Sequence, residues 1–268
     1  MDDRILSHYS KNPETDRLNQ DWFILERIRT EYLLKKLLPP PPCQVLDIGG
    51  GTGVYSFFLA EKGYTVHLID PVPIHIQRAE EFQKDNKTKL ASIQIGNAIH
   101  LHEHDESMDA VLMFGPLYHL IETEHRFQAL KEAHRVLRKG GLFLGVGISK
   151  YASYMDGFLS KFLLDEEYRM IVENDLNTGR HINPTDKEYF TTSYFHHPTH
   201  LKKEIEQAGF ADVRLVAIEG PSWAYPDMEE LLVKNQKASN KILEFIELME
   251  SDESIIGASA HFMGIGRK

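Results

Sequence analysis

The chain has 268 residues, 42% of them apolar, which is enough to bury the core of one large domain with additions. Its formal net charge is −10, from 40 acidic and 30 basic residues with no long basic run, and this disfavours polyphosphate partners and bulk nucleic acid. The opening MDDRILSHYSKNPETD lacks the basic and apolar regions of a signal peptide, no apolar run approaches about 18 residues, and Cys43 is the single cysteine; a cytoplasmic protein with no membrane contact and no internal disulfide is expected.

In chain order, Leu25, Ile28 and Tyr32 recur at helical spacing until Pro39 to Pro42 stop the helix, so an N-terminal helical arm over residues 1–38 is predicted. QVLDIG reads as a buried strand, followed by a glycine turn and a helix, VYSFFLAEKG, that stops at Gly63. TVHLID, ASIQIGNA, MDAVLMFG and LFLGVGIS read as further strands. PIHIQRAEEFQKDN and TEHRFQALKEAHRVLRKGG read as helices, the latter with Phe127, Leu130, His134 and Leu137 on one face. This alternation implies right-handed crossovers and a doubly wound α/β fold whose parallel sheet carries helices on both faces. Regularity fails over residues 149–198, which are rich in aromatics and histidine and are read as an inserted lid. The remainder, 199–268, resumes with a helix (LKKEIEQAGF), a strand (DVRLVAIEG), one helix over 228–249 and a final strand (SAHFMGIGRK).

The strongest chemical signal is VLDIGGGTG, with Asp47, Gly49, Gly50, Gly51 and Gly53 between a strand and a helix. Glycines allow a sharp turn and a close backbone approach to a ligand, and the helix start offers free N–H groups. The spacing differs from the Gly-x-Gly-x-x-Gly of dinucleotide sites, and Asp47 suits a cationic ammonium better than a pyrophosphate. Asp70, at the tip of the second strand, is positioned to take two ribose hydroxyls.

With these residues the chain resembles the class I S-adenosylmethionine (SAM)-dependent methyltransferases. The resemblance covers residues 43–148 and implies a SAM-binding Rossmann-like core there, with a mostly parallel seven-stranded sheet, an antiparallel last strand, and S-adenosylhomocysteine as the product. It further implies that Asp47 and Gly49 to Gly53 hold the methionine part and Asp70, with Pro71, the ribose. Asn97-Ala98 would meet the adenine, and Phe114-Gly115 would lie beside the sulfonium. Asn97 stands where many relatives have Asp; its amide oxygen can still accept a hydrogen bond. RVLRKGGLF matches the family's lead into the fifth strand. GPLYHL, with FTTSYFHHP, EGPSW and SAHF, looks like a group of bacterial small-molecule methyltransferases whose acceptors are mostly unassigned.

Gly115-Pro116-Leu117-Tyr118 occupies the place of the Asn/Asp-Pro-Pro-aromatic grip of nucleobase-amine methyltransferases. Gly115 has no side chain with which to accept, so the stretch is read instead as a turn that brings Tyr118 and His119 to the carboxyl edge of the sheet as catalytic candidates. His119, with a reference pKa near 6.5, is a candidate general base. In the arm, Arg29 is a candidate partner for the methionine carboxylate and Tyr9 a candidate cover over the donor. Tyr151, Asp156, Arg180, His181 and Tyr194 are acceptor-pocket candidates from the lid, and Trp223, behind Glu219-Gly220-Pro221, is one from the far wall. HLHEHDE could present alternate histidines to a metal, but its acidic content suits a solvated loop, and no metal is expected.

The reading is therefore a SAM-dependent methyltransferase acting on a small, neutral or cationic acceptor. The alternatives are a protein or tRNA methyltransferase and a non-catalytic SAM-binding protein. Oligomeric state is not legible.

Overall fold

The computed structural model describes residues 23–184, 187, 189–225 and 228–268. Helix α1 (Ile24–Leu37) carries Glu26 in its first turn and Lys35 and Lys36 in its last, complementing the helix dipole. The rest of the arm, including Tyr9, lies outside the described residues.

The core follows as β1 (Gln44–Ile48), α2 (Val54–Ala60), β2 (Thr65–Asp70), α3 (Pro73–Asp85), β3 (Ser92–Ile95), β4 (Met108–Met113), α4 (Pro116–His119), α5 (Thr123–Val136) and β5 (Leu137–Ile148). After an intervening segment come α8 (Pro198–Gln207), β8 (Ala211–Ala217) and β9 (His261–Arg267). The sheet has seven strands in the order β3-β2-β1-β4-β5-β9-β8. The core strands pair in parallel, and β9 runs antiparallel to both β5 and β8, as expected.

Alternate residues of the central strands feed opposite faces. Val45, Leu112 and Leu144 pack with Leu34 of α1, Phe57 and Leu59 of α2 and Ala79 of α3. Leu46, Val111 and Phe143 pack with Ala129 and Leu130 of α5 and Ile205 of α8. A strand buried on both faces needs a continuous apolar run rather than alternation, which is what Ala110 to Met113 provide. Each fully buried Leu here contributes roughly 1.5–3 kcal/mol.

Three expectations are corrected. The buried stripe of α5 is Arg126, Ala129, Leu130, Ala133 and Val136, while Phe127 is 37% exposed. The period is as read, but the helix is rotated by about one residue, because two alanines let it approach the sheet more closely than Phe127 would. Residues 149–198 are more regular than read: they contain α6 (Ala152–Leu159), α7 (Glu166–Thr178) and a two-stranded ribbon, β6 (Arg180–His181) with β7 (Ser193–Tyr194). The single helix expected over 228–249 is two, α9 (Met228–Leu232) and α10 (Gln236–Met249), because Asn235 caps the second by accepting from the Ala238 N–H. A final short helix, α11 (Glu253–Ile256), precedes β9.

Candidate functional site

Strand order reverses at β1, which lies between β2 and β4, and open α/β sheets bind ligands at such a point. A cleft of about 460 Å³ opens there at the carboxyl ends of the strands. Its walls include Asp47, Gly49, Gly50 and Gly51, then Asp70 and Pro71, Asn97 and Ala98, and Phe114, Gly115, Tyr118 and His119. Gly53 is not on the wall; it caps α2 in a left-handed conformation. At Gly49, φ is +70°, and a Cβ would stand 2.8 Å from the Pro116 ring; at Gly50 a Cβ would stand 2.5 Å from Asp47 Oδ2. Larger residues would therefore push apart the turn, α4 and the Asp47 carboxylate.

Asp47 is 1% exposed. Ser56 Oγ donates to its Oδ2 at 2.7 Å, and Oδ1 has no hydrogen-bond partner among the described residues. Burial pushes the carboxyl up to about 7. Such an orphaned buried oxygen suits a cationic ligand group, and the cradle behind it suits one that presses against backbone. Asp70 is more fully used: Oδ2 accepts from Gly51 N (2.9 Å), and Oδ1 accepts from Val72 N (2.9 Å) and bonds His75 Nδ1 (3.0 Å). This leaves one acceptor position on Oδ2, so the expectation of two ribose contacts reduces to one in this geometry. Asn97 turns its Oδ1 to the Ile99 N–H at 3.0 Å.

GPLYHL forms a single helical turn with Pro116 at its start, where a missing N–H costs nothing. His119 is 9% exposed, with its ring 4.6 Å from that of Tyr118 and 6.4 Å from that of Phe190. The chain just beyond is clamped by Arg126. Its Nη1 donates to the carbonyls of Leu120 (3.0 Å) and Ile121 (2.8 Å), while Nε and Nη2 fork onto Glu204. Burial raises the Glu204 carboxyl, but hydrogen bonds from His196 and Arg126 outweigh it and hold the group at about 2. Burial lowers the His196 imidazole, against the opposing bond to Glu204.

Several expected site residues lie elsewhere. Arg29 is fully buried, paired with Glu250 and 4.9 Å from the Tyr32 ring centroid; among the described residues of the arm it is Glu26, one turn away, that is on the cleft wall. None of the six acceptor-pocket candidates is on that wall. Tyr151 is 37% exposed beside His197, and Asp156, its carboxyl raised by burial, accepts from Ser160. His181 Nδ1 bonds Asp175 at 2.7 Å, and its ring stacks on Phe195. Tyr194 lies 3.7 Å from the Arg126 guanidinium, and Trp223 Nε1 donates to Ala258 O. Arg180 comes nearest, through a forked ion pair to Glu122 on the rim. These residues are polar or aromatic by type, yet each finds its partner in packing, which spacing does not reveal.

Sequence reasoning missed Glu26, Tyr55, His75, Glu122 and His125 on the wall. Tyr55 meets Phe114 edge-on at 5.6 Å. A signal for His75 was available, since it stands in the first turn of the helix that follows Asp70. Cys43 is buried, with its thiol pushed up to about 11, and so is a poor nucleophile. Among the described residues the metal-type ligand atoms that converge are those of Glu26, Glu219 and His261.

Residues 45–141 match the profile of a family described as "Methyltransferase domain". The fold, the glycine turn and this match make the chain a class I Rossmann-like SAM-dependent methyltransferase. Within that class it is related to bacterial enzymes such as the ubiquinone/menaquinone biosynthesis C-methyltransferase UbiE of Rhodopseudomonas palustris, at 28% identity over 73% of this chain and 78% of that protein. An uncharacterized methyltransferase of Mycobacterium tuberculosis is 35% identical over 43% of this chain and 45% of that one. In fold, the chain is similar to a Thermotoga maritima SAM-dependent methyltransferase described as a possible histamine N-methyltransferase, with a TM-score of 0.57 and 19% identity over 98% of each chain. No helix among the described residues is long and apolar enough to cross a membrane.

Proposed function

We propose that this chain transfers the methyl group of SAM to a small, neutral or cationic acceptor, with His119 and Tyr118 beside the acceptor. The observation that carries this reading is that the glycine turn, Asp70 and the GPLYHL helix line one cleft. SAM supplies a methyl activated on a sulfonium, a good leaving group that needs no further activation. Asp47 pairs with the methionine ammonium, Asp70 takes a ribose hydroxyl, and Asn97-Ala98 meet the adenine. Phe114 and Gly115 flank the sulfonium. Holding the acceptor in line then contributes up to about 7–11 kcal/mol. Where the acceptor must lose a proton, His119 takes it, worth about 10²–10⁴-fold. The segment 149–198 serves as a lid that excludes water, with Phe190 its closest ring to His119.

Among the described residues the walls carry no lysine or arginine, which suits a neutral or cationic acceptor; of the wall carboxylates, Asp47 and Asp70 serve the donor and Glu122 is paired with Arg180. The description of the Thermotoga maritima protein names an acceptor of that chemistry. Tyr118 and His119 are tested by Tyr118→Phe and His119→Ala. Turnover should fall, by about 10²-fold or more for His119→Ala with an acceptor that loses a proton, while calorimetric donor affinity stays within about threefold. Unchanged turnover in both variants would remove these residues from the mechanism.

A further inference from the structure

Arg126 is 1% exposed, and every nitrogen of its guanidinium is committed. Nη1 donates to the carbonyls of Leu120 and Ile121, Nη2 to Thr123 Oγ1 (3.1 Å) and Glu204 Oε1 (2.7 Å), and Nε to the same carboxylate (3.1 Å). That accounts for all five N–H donors of the group. Two of them hold backbone of the cleft wall, since Leu120 and Ile121 line it directly after His119. With its edge used up, the guanidinium presents a face, and the Tyr194 ring covers it at 3.7 Å.

Tyr194 is itself placed by the sheet. Two residues on, His196 is stitched to the carboxyl end of β5: its N–H donates to Ile148 O at 2.7 Å, and its carbonyl accepts from Lys150 N at 2.9 Å. Its imidazole bonds Glu204 at 3.2 Å, so strand, carboxylate and ring form one frame around Arg126. Across the ribbon Tyr194 pairs with Arg180, which forks onto Glu122, the residue after Ile121. The two ribbon partners thus converge on the stretch 120–126. The exposed ion pair is screened and weak, so the buried ring carries the coupling. Apolar residues of the same volume could stabilise these elements as well, but they could not bond two carbonyls of the wall.

We infer that Arg126 is a positioning residue for methyl transfer: it sets the Leu120–Ile121 part of the wall, and with it the end of the helical turn that bears His119, while Tyr194 holds the guanidinium in plane. This rests on the methyl-transfer reading and adds to it the route by which the β6–β7 ribbon fixes the reacting geometry. Tyr194 and Arg180 act through residues 120–126 and not on the acceptor directly.

The test removes the ring and leaves the guanidinium in place. The full chain, Tyr194→Leu and Tyr194→Phe are compared for transfer of labelled methyl from SAM to the small-molecule fraction of a cell extract, diluted until the rate is proportional to acceptor. Tyr194→Leu should be slower by about 10-fold, within what a displaced wall produces, with donor affinity by calorimetry within about threefold and an unchanged melting temperature. Tyr194→Phe keeps the ring face and should restore the parent rate within about twofold. Arg126→Lys keeps the charge but not the fork and should be slower by about 10- to 100-fold; adding Tyr194→Leu to it should cost nothing more, because both act through one contact. Tyr194→Leu as fast as the parent, Tyr194→Phe as slow as Tyr194→Leu, or losses that multiply in the double variant overturn the inference while leaving methyl transfer standing. So does a slower rate matched by an equal loss of donor affinity or by a lower melting temperature, which would make Tyr194 a packing residue alone. No label with the parent protein while SAM is bound sinks the methyl-transfer reading, and this inference falls with it.

Discussion

On the proposed pairing of Asp47 with the methionine ammonium, its carboxyl, dry except for one hydroxyl and raised to about 7, makes donor binding pH-dependent. In the free protein it is about half protonated near pH 7, and pairing with an ammonium requires it ionised. Donor affinity should therefore rise about tenfold per unit as pH climbs toward 7 and level off above it; in Asp47→Asn it should be weaker and flat. Stability of the free protein runs the other way. A carboxyl raised from 3.8 to about 7 holds a proton in the native state that the unfolded chain gives up. The favourable contribution is complete below the unfolded pKa and lost as pH rises to about 7, on the order of 4 kcal/mol in all. Thermal melts of Asp47→Asn and parent should converge near pH 4 and separate, with the variant higher, by pH 8. Parallel curves would mean that Asp47 is not dry. The residues of the glycine turn were legible because their types and spacing state a backbone conformation. Glu26 was not, because a glutamate in the first turn of a helix has the same local signature whether it faces water or a cleft.

Elements fix where those side chains stand. The GPLYHL turn is held on one side by the close contact of Gly49 with Pro116 and on the other by Arg126, whose guanidinium ties the Leu120–Ile121 backbone to Glu204 of α8. Breaking a buried pair by removing one partner leaves the other charge uncompensated, so Arg126→Met should cost about 3–5 kcal/mol in urea denaturation, and adding Glu204→Gln should recover part of it. A cost below about 1 kcal/mol for the single variant would show that the clamp carries little. The β/α alternation was readable from residue 43 to 148 because parallel strands covered on both faces are continuous apolar runs. The helices of residues 149–198 were harder. The α7 signals were present, with Asp165 as N-cap, acids in the first turn and Gly179 as the left-handed stop, but a buried stripe of Tyr168, Ile171, Val172 and Asp175 mixes aromatic, aliphatic and acidic residues. Face assignment on α5 failed for a related reason: two stripes one residue apart share a period, and only the sheet decides between them.

At the scale of the molecule, a net charge of −10 and a cleft whose described walls carry carboxylates but no lysine or arginine act in the same direction. Long-range attraction favours cations, including SAM itself, and repels nucleic acid. The fold alone does not choose a reaction, because one scaffold hosts many; the site must do so. The most direct measurement is therefore transfer of labelled methyl from SAM by the purified protein to a cell extract separated into small-molecule, nucleic-acid and protein fractions. The account predicts label in the small-molecule fraction and none in the other two. Label confined to nucleic acid or protein, or no label in any fraction while calorimetry shows SAM bound, would contradict it.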